Sequence, residues 1–485
     1  MLFNSFEFLL FFLIVTAAYF LLPHKLRWFH LLIASCYFYM CFVPIYILIL
    51  FFTIIIDYIA GIVIQNATGK KRKLMLVVSI AANVGVLCFF KYYNFFAINW
   101  NSFFHFTNGN ASIPLLNIIL PIGLSFHTFQ AMSYTIEIYR GNQHAERHFG
   151  IYALYVMFYP QLVAGPIERP QNIIHQFHEK KHFDYPKFAS GLRLMLWGLI
   201  KKVVIADRLA TLVDPIYNNA GESSGVSLIL ASFFFLLQIY CDFSGYSDIA
   251  VGAARVMGFE LMINFNRPFI SKNVSEFWKR WHRSLSTWFY DYVFNPFVGT
   301  VRHWRKGAIA IGLFLTFFLS GLWHGASWTF VLWGVVHGFA LIYEFLTKGI
   351  RERIFAKVPN WLNSSISWFA TFSFLVLTAV LFRAKNIRQA LIIYRKMCAI
   401  PHELMLVFAK KKLTFLHLPA LAYIFGALLL IILLQIAESL QEKYDLKENF
   451  SRFPIYVRLG TYYAAVFLIF YFGVFDKHEF IYFQF

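Results

Sequence analysis

Two stretches of this chain place chemistry where hydrocarbon should reject it: Gly321 to Trp328, and Phe277 to Tyr290. No Asp, Glu, Lys or Arg occurs between Lys306 and Glu344, so that run is set to lie in lipid, yet it carries the imidazole of His324 near its middle. An ionisable group at such depth marks a functional site by default. Imidazole is the one side chain whose unperturbed pKa lies near neutrality. It can therefore take a proton from an attacking hydroxyl, a service worth typically 10²–10⁴-fold in rate. The competing interpretation is a hairpin of two short spans, with His324 hydrogen-bonding at a headgroup-level turn.

The stretch from Phe277 to Tyr290 has a different pattern. Taken as one helix from Ser275, it brings Trp278, Trp281, His282, Leu285 and Phe289 to one side at spacings of three and four, while Lys279, Arg280 and Arg283 fall away from them. Such a helix lies in the membrane plane with its basic face toward headgroups. His282 then sits on the apolar face beside the tryptophans, either as a working group or as a satisfied core histidine. Three further segments are polar or broken in apolar surroundings. His127 and Gln130, three apart, share a helix face; Phe158 to Pro170 is too interrupted by Pro and Gly for an ordinary span and suits a re-entrant segment shielded by protein; Tyr240 to Asp248 brings two acids and two tyrosines toward a water-lined cavity.

The elements that must hold these groups are membrane helices. Of 485 residues, 59% are hydrophobic and only 14% charged, against about a quarter charged in soluble domains. A spanning helix needs about 20 apolar residues, and no barrel-like alternation competes. The fold class is therefore an all-α polytopic integral membrane protein of about ten to twelve transmembrane helices, with re-entrant or in-plane helices around a central cavity. The net charge of +19 comes from Lys and Arg in short loops between apolar runs, the distribution expected of orientation signals and lipid contacts rather than of nucleic-acid binding. Five scattered cysteines show neither disulfide nor metal-ligand spacing, so no metal is expected. The opening residues lack a basic n-region, and the first span is expected to be retained.

In chain order, basic clusters at Pro23 to Arg27 and Gly69 to Lys73 face the cytoplasm, which places the N-terminus outside. A break falls near Pro44. Asn101 to Ser112 is expected as an external loop and Leu115 to Ile138 as the next crossing. The run Leu192 to Ala206 is interrupted by Lys201 and Lys202, and Val226 to Ile239 forms another span. Later spans fall at about Ser367 to Phe382, Leu418 to Ile436 and Leu459 to Val474. No internal repeat is visible, and the chain is expected as a single membrane-embedded domain over 1–485.

Motifs in these segments resemble those of the membrane-bound O-acyltransferase family, in the branch of alginate O-acetylation proteins and peptidoglycan O-acetyltransferases. They are Pro121 to Gln130, Ala164 to Ile167, Asp242 to Asp248, Asn264 to Phe269, Glu276 to His282 and Gly321 to Gly325. The resemblance covers about Leu115 to Trp333 in the right order and implies a catalytic core at about 115–345. By similarity, the family's invariant histidine falls on His324 and its second position on His282. His127 stands where relatives often carry tyrosine and receives no catalytic role.

The resemblance implies an O-acetyltransferase of the bacterial cytoplasmic (inner) membrane that moves acetyl from acetyl-CoA across the membrane to an extracytoplasmic polysaccharide. Acetyl-CoA is a substrate, no bound cofactor is expected, and membrane lipids and an extracytoplasmic SGNH-type esterase-like protein are the expected partners. His324 is expected as base, with Gly321 and Gly325 leaving room beside it. His282 orients the thioester or supports the base; Trp278, Trp281, Trp323, Asn266 and Gln130 line the substrate path; Arg280 and Arg283 meet the nucleotide. Within the tail 476–485, a candidate acyl carrier, the hexapeptide Phe480 to Phe485 resembles the tyrosine-bearing C-terminal motif of the small partner used in teichoic-acid D-alanylation, which makes Tyr482 an expected acyl carrier. An interfacial aromatic belt is the alternative for that hexapeptide. A transporter or flippase of an envelope precursor would also need intramembrane His and Asp, but its repeat symmetry is missing. Alginate, peptidoglycan or another exopolysaccharide would each be served by the same membrane step.

Overall fold

In hydrocarbon a backbone must satisfy its own hydrogen bonds, which favours helices. The computed structural model, which describes residues 1–107, 112–163, 165–410, 421–444, 449–475 and 480–481, is helical with no strand among the described residues. Among the described residues, eight helices are long and apolar enough to cross a membrane: Pro44–Asn66, Gly69–Phe106, Gly225–Val256, Lys306–His324, Trp328–Phe355, Asn360–Arg383, Ala422–Lys443 and Ile455–Phe472. Phe6–Leu21 and Ile400–Ala409 are shorter apolar helices. Leu9, Ile14, Phe467 and Phe470 are exposed on such helices, as side chains facing lipid should be. The protein is a multi-pass membrane protein.

The chain forms two compact units, the first comprising Met1–Trp197 and Tyr246–Ile263, the second Gly198–Gly245 and Asn264–Phe485. In the first, Phe8, Phe11, Phe38 and Tyr159 pack ring on ring. Proline breaks the chain where expected: helix His24–Met40 ends and a short 3₁₀ turn, Pro44–Tyr46, precedes the next span, because the proline ring removes an N–H that a helix interior needs. Phe158 to Pro170 holds only one helical turn, Tyr159–Leu162, and its described residues are buried apart from the half-buried Arg169. Irregular backbone is thus covered by protein, as the medium requires.

Two expectations for this unit need correction. Asn101 is helical, within Tyr93–Phe106. Its amide and that of Asn94 exchange paired hydrogen bonds with the backbone of Ile113 and Leu116, so asparagine here binds a neighbouring segment instead of marking a loop. The run from Leu115 is without regular secondary structure as far as Pro121, and helix begins only at Leu124–Arg140. Gly123 starts it at φ 76°, with a Cβ there falling 2.7 Å from the Leu162 carbonyl oxygen; only glycine fits that turn without strain.

In the second unit, Lys201 and Lys202 are buried in a π-helical turn, Ile200–Ala206. Tyr240 to Asp248 continues one 32-residue helix, Gly225–Val256. Its Asp242 is tolerated because Lys202 neutralises it at 2.7 Å. The charge-free run folds as two helices, Lys306–His324 and Trp328–Phe355. They cross where a Cβ on Gly321 would lie 2.5 Å from the Phe330 carbonyl and one on Gly334 would lie 2.3 Å from that of Phe317. Glycines here let two backbones touch.

Candidate active site

His324 closes the helix Lys306–His324 and is 4% exposed. Its ring meets Trp323, Trp333 and Phe382 edge to face, with centroids at 5.0, 5.0 and 5.2 Å. These are favourable aromatic geometries. The ring lines a cavity of about 40 Å³ whose other walls include Trp278, Trp281, Trp333, His337 and Phe382. The chain turns sharply after it, and Ser327 restarts the helix by accepting the Thr329 amide. The glycines beside His324 do not leave room as expected. The Gly321 side is occupied by the crossing helix, and a Cβ on Gly325 would strike the Phe330 ring at 2.3 Å. Space lies on the tryptophan side of the imidazole.

His337, in the helix Trp328–Phe355, is a second buried histidine of the same charge-free run and was not singled out by motif or spacing. The indole Nε1–H of Trp278 donates to its Nδ1 at 3.3 Å. Nδ1 must then be the acceptor, which puts the ring proton on Nε2, 3.2 Å from the Thr378 hydroxyl oxygen. That hydroxyl in turn donates to the Phe374 carbonyl at 3.0 Å. A one-way chain of donors thus fixes the cavity wall. The sequence signal was available: an imidazole thirteen residues beyond His324 in the same charge-free run.

The stretch containing His282 is not one in-plane helix. It forms two short ones, Val274–Arg280 and Arg283–Phe289, separated at Trp281 and His282. His282 adopts φ 42°, in the left-handed region, which costs a non-glycine residue of order 1–3 kcal/mol and persists only when its surroundings enforce it. The enforcement is visible. Asn264 accepts the Arg283 amide through its carbonyl and the Ser284 amide through its side chain, and the Asn266 amide donates to the Arg280 carbonyl. The kink buries His282 completely, with its ring 4.6 Å from Phe243 and 6.2 Å from Trp323. His282 and His324 therefore both touch the Trp323 indole. Glu344, the acid that ends the charge-free run, caps the first short helix by accepting the Val274 and Ser275 amides at 2.7 and 3.0 Å.

Of the other expected residues, Trp278 and Trp281 line the cavity with His324, and Trp323 joins the two histidines. Arg280 is engaged by Glu276 at 3.0 Å and does not share a common basic face with Arg283, which is exposed on the following helix. Asn266 is exposed. Gln130 belongs to the first unit, where its amide and that of Gln161 both donate to the Tyr155 carbonyl at 2.6 Å. In the same unit His127 bonds Thr53. Tyr482 lies outside the described residues.

The comparisons with known proteins agree on one family. The model of the MBOAT, membrane-bound O-acyltransferase family matches residues 147–383. A probable alginate O-acetylase of Pseudomonas aeruginosa is 37% identical over 404 residues, 82% of this chain and 75% of the relative. A peptidoglycan O-acetyltransferase of Helicobacter pylori is 34% identical over 394 residues, 76% of this chain and 73% of its own. A teichoic acid D-alanyltransferase of Bacillus subtilis is 29% identical over 282 residues, 56% of this chain and 71% of that protein.

Proposed function

From the premise that this chain belongs to the membrane-bound O-acyltransferase family, and is an acyltransferase embedded in a membrane, we propose that it moves acetyl from cytoplasmic acetyl-CoA across the bacterial inner membrane for O-acetylation of an extracytoplasmic polysaccharide, with the catalytic core at about 115–345. The observation that carries this reading is His324: a base at the wall of a small aromatic cavity, in a run without charges. The names of the relatives from Pseudomonas and Helicobacter support acetyl and a polysaccharide acceptor.

The chemistry follows from a thioester meeting a poor nucleophile. His324 removes the proton of an attacking hydroxyl as its oxygen bonds to the acetyl carbon; the C–S bond then breaks, and the imidazolium returns the proton to the CoA sulfur. His282, across Trp323, orients the donor. Tyr482 is the hydroxyl that receives the acetyl, since a phenol of pKa about 10 ionises more readily than an alkyl hydroxyl. Its aryl ester then passes acetyl to a sugar hydroxyl of the polymer, aided by an extracytoplasmic SGNH-type protein, and regenerates the phenol. Arg283 offers a charge for the phosphates of the donor.

The test is acetylation of the polymer in cells carrying His324→Ala or Tyr482→Phe, with membrane insertion checked by immunoblot. Both variants should lose polymer acetyl, and mass spectrometry of the wild-type terminal peptide should carry an acetyl group on Tyr482. Wild-type acetylation by a stably inserted His324→Ala protein would overturn the assignment. If Tyr482→Phe alone acetylates normally, the terminal hexapeptide is an aromatic belt. A transporter would show neither dependence.

A further inference from the structure

The second unit holds a buried cluster that the chemistry above does not use. Lys202 bonds Asp242 at 2.7 Å and Asp207 at 2.9 Å, and all three side chains are at most 6% exposed. Burying such charges costs several kcal/mol per ion, and a buried ion pair is weak support for stability by itself. What the cluster achieves lies on the second oxygen of Asp242. Oδ1 faces Lys202, while Oδ2 accepts the backbone amide of Ile481 at 2.7 Å.

That amide belongs to the residue immediately before Tyr482. The approach to it is tied to the same region: the Val474 amide donates to the Val203 carbonyl at 3.0 Å, and Arg208 donates to the Phe472 carbonyl at 2.8 Å. Phe480 is 1% exposed and packs on Phe243 at 5.6 Å, and the same Phe243 ring bears on His282 at 4.6 Å. A segment after the last span is thus fastened by its main chain to a carboxylate, and by one ring to the aromatic neighbour of a candidate catalytic histidine.

We propose that Asp242, braced by Lys202 and Asp207, is a positioning residue that clasps the main chain at Ile481 and so sets the register in which Tyr482 is offered for acyl transfer. The proposal rests on the reading of Tyr482 as acyl carrier. A clasp on the backbone suits this task because it fixes position along the chain without depending on the side chain at 481. A hydrogen bond to a charged carboxylate is also among the stronger ones available, shorter and firmer than a neutral pair.

The donor being a main-chain N–H makes the test sharp. Ile481→Pro removes that one hydrogen, whereas Ile481→Val and Ile481→Ala keep it; all three lie beyond the last span and leave the buried cluster intact. Polymer acetylation should stay within about twofold of wild type for Val and Ala and fall about tenfold or more for Pro, as for loss of a bond to a charged group. Asp242→Ala in the full-length protein should speed hydrogen–deuterium exchange of the peptide covering Ile481 by about tenfold and lower acetyl on Tyr482 to match. Unchanged exchange in a stably inserted Asp242→Ala protein overturns the clasp, as does normal acetylation by Ile481→Pro where Tyr482→Phe abolishes it. Should Tyr482→Phe acetylate normally while Asp242→Ala still speeds exchange, the clasp stands as an anchor and the carrier reading alone fails.

Discussion

The wall of the cavity at His324 and the charge cluster at Lys202 place polar groups in apolar surroundings by opposite means. Around His324 the described neighbours are the rings of Trp323, Trp333 and Phe382. These ring contacts hold the imidazole edge to face. Around Lys202, by contrast, two carboxylates answer one ammonium, and the last described oxygen bond goes to a backbone amide. His337 belongs with the second kind although it shares the cavity with His324, because Trp278 and Thr378 engage both its nitrogens. Burial therefore does not separate chemistry from architecture in this molecule.

This contrast is broken or sharpened by substitution. His324→Ala should cost the most activity and little stability: 10²–10⁴-fold in acetyl transfer, the range for a lost general base, with an unchanged thermal midpoint in detergent. Lys202→Met should do the reverse, since it strands two buried carboxylates at a cost of about 3–5 kcal/mol, readable as a lowered midpoint or loss of protein from the membrane. His337→Ala should destabilise by about 1–3 kcal/mol by orphaning the Trp278 indole, with a smaller activity loss than His324→Ala; an equal activity loss would move His337 into the chemistry. His282→Ala should cost less than His324→Ala, and His282→Asn less still, because asparagine tolerates the left-handed backbone; a loss equal to that of His324→Ala would mean the two act as one unit. Smallest is charge reversal: Arg283→Glu should raise the acetyl-CoA KM severalfold with little change in kcat, and Arg280→Glu should act mainly through its pair with Glu276. An unchanged KM leaves Arg283 as a lipid contact.

Much of this was legible in the residues themselves. The absence of charge from Lys306 to Glu344 marked a run suited to lipid, though its folding as two helices was only the competing interpretation, and Pro44 marked its own break. The kink at His282 was not legible, because periodicity sees only the spacing of Trp278, Trp281 and Leu285 and not the pairing of Asn264 with Arg283 and Ser284 that imposes φ 42°. The pairing of Asp242 was not legible for a related reason. Its partner, Lys202, lies forty residues earlier. Gly321 and Gly325 looked like open space for want of the Phe330 backbone and ring that fill it. Each miss concerns a contact between separate elements, whereas composition and local turn chemistry were enough for the spans.

The central claim is that His324, and no other buried histidine of the cavity, serves acyl transfer. Purified wild-type, His324→Ala and His337→Ala proteins in lipid vesicles should be given acetyl-CoA, with release of the CoA thiol followed by a colorimetric reagent. The account predicts thiol release from wild type and from His337→Ala, and release from His324→Ala at the level of empty vesicles. Thiol release from His324→Ala at the wild-type rate would contradict it.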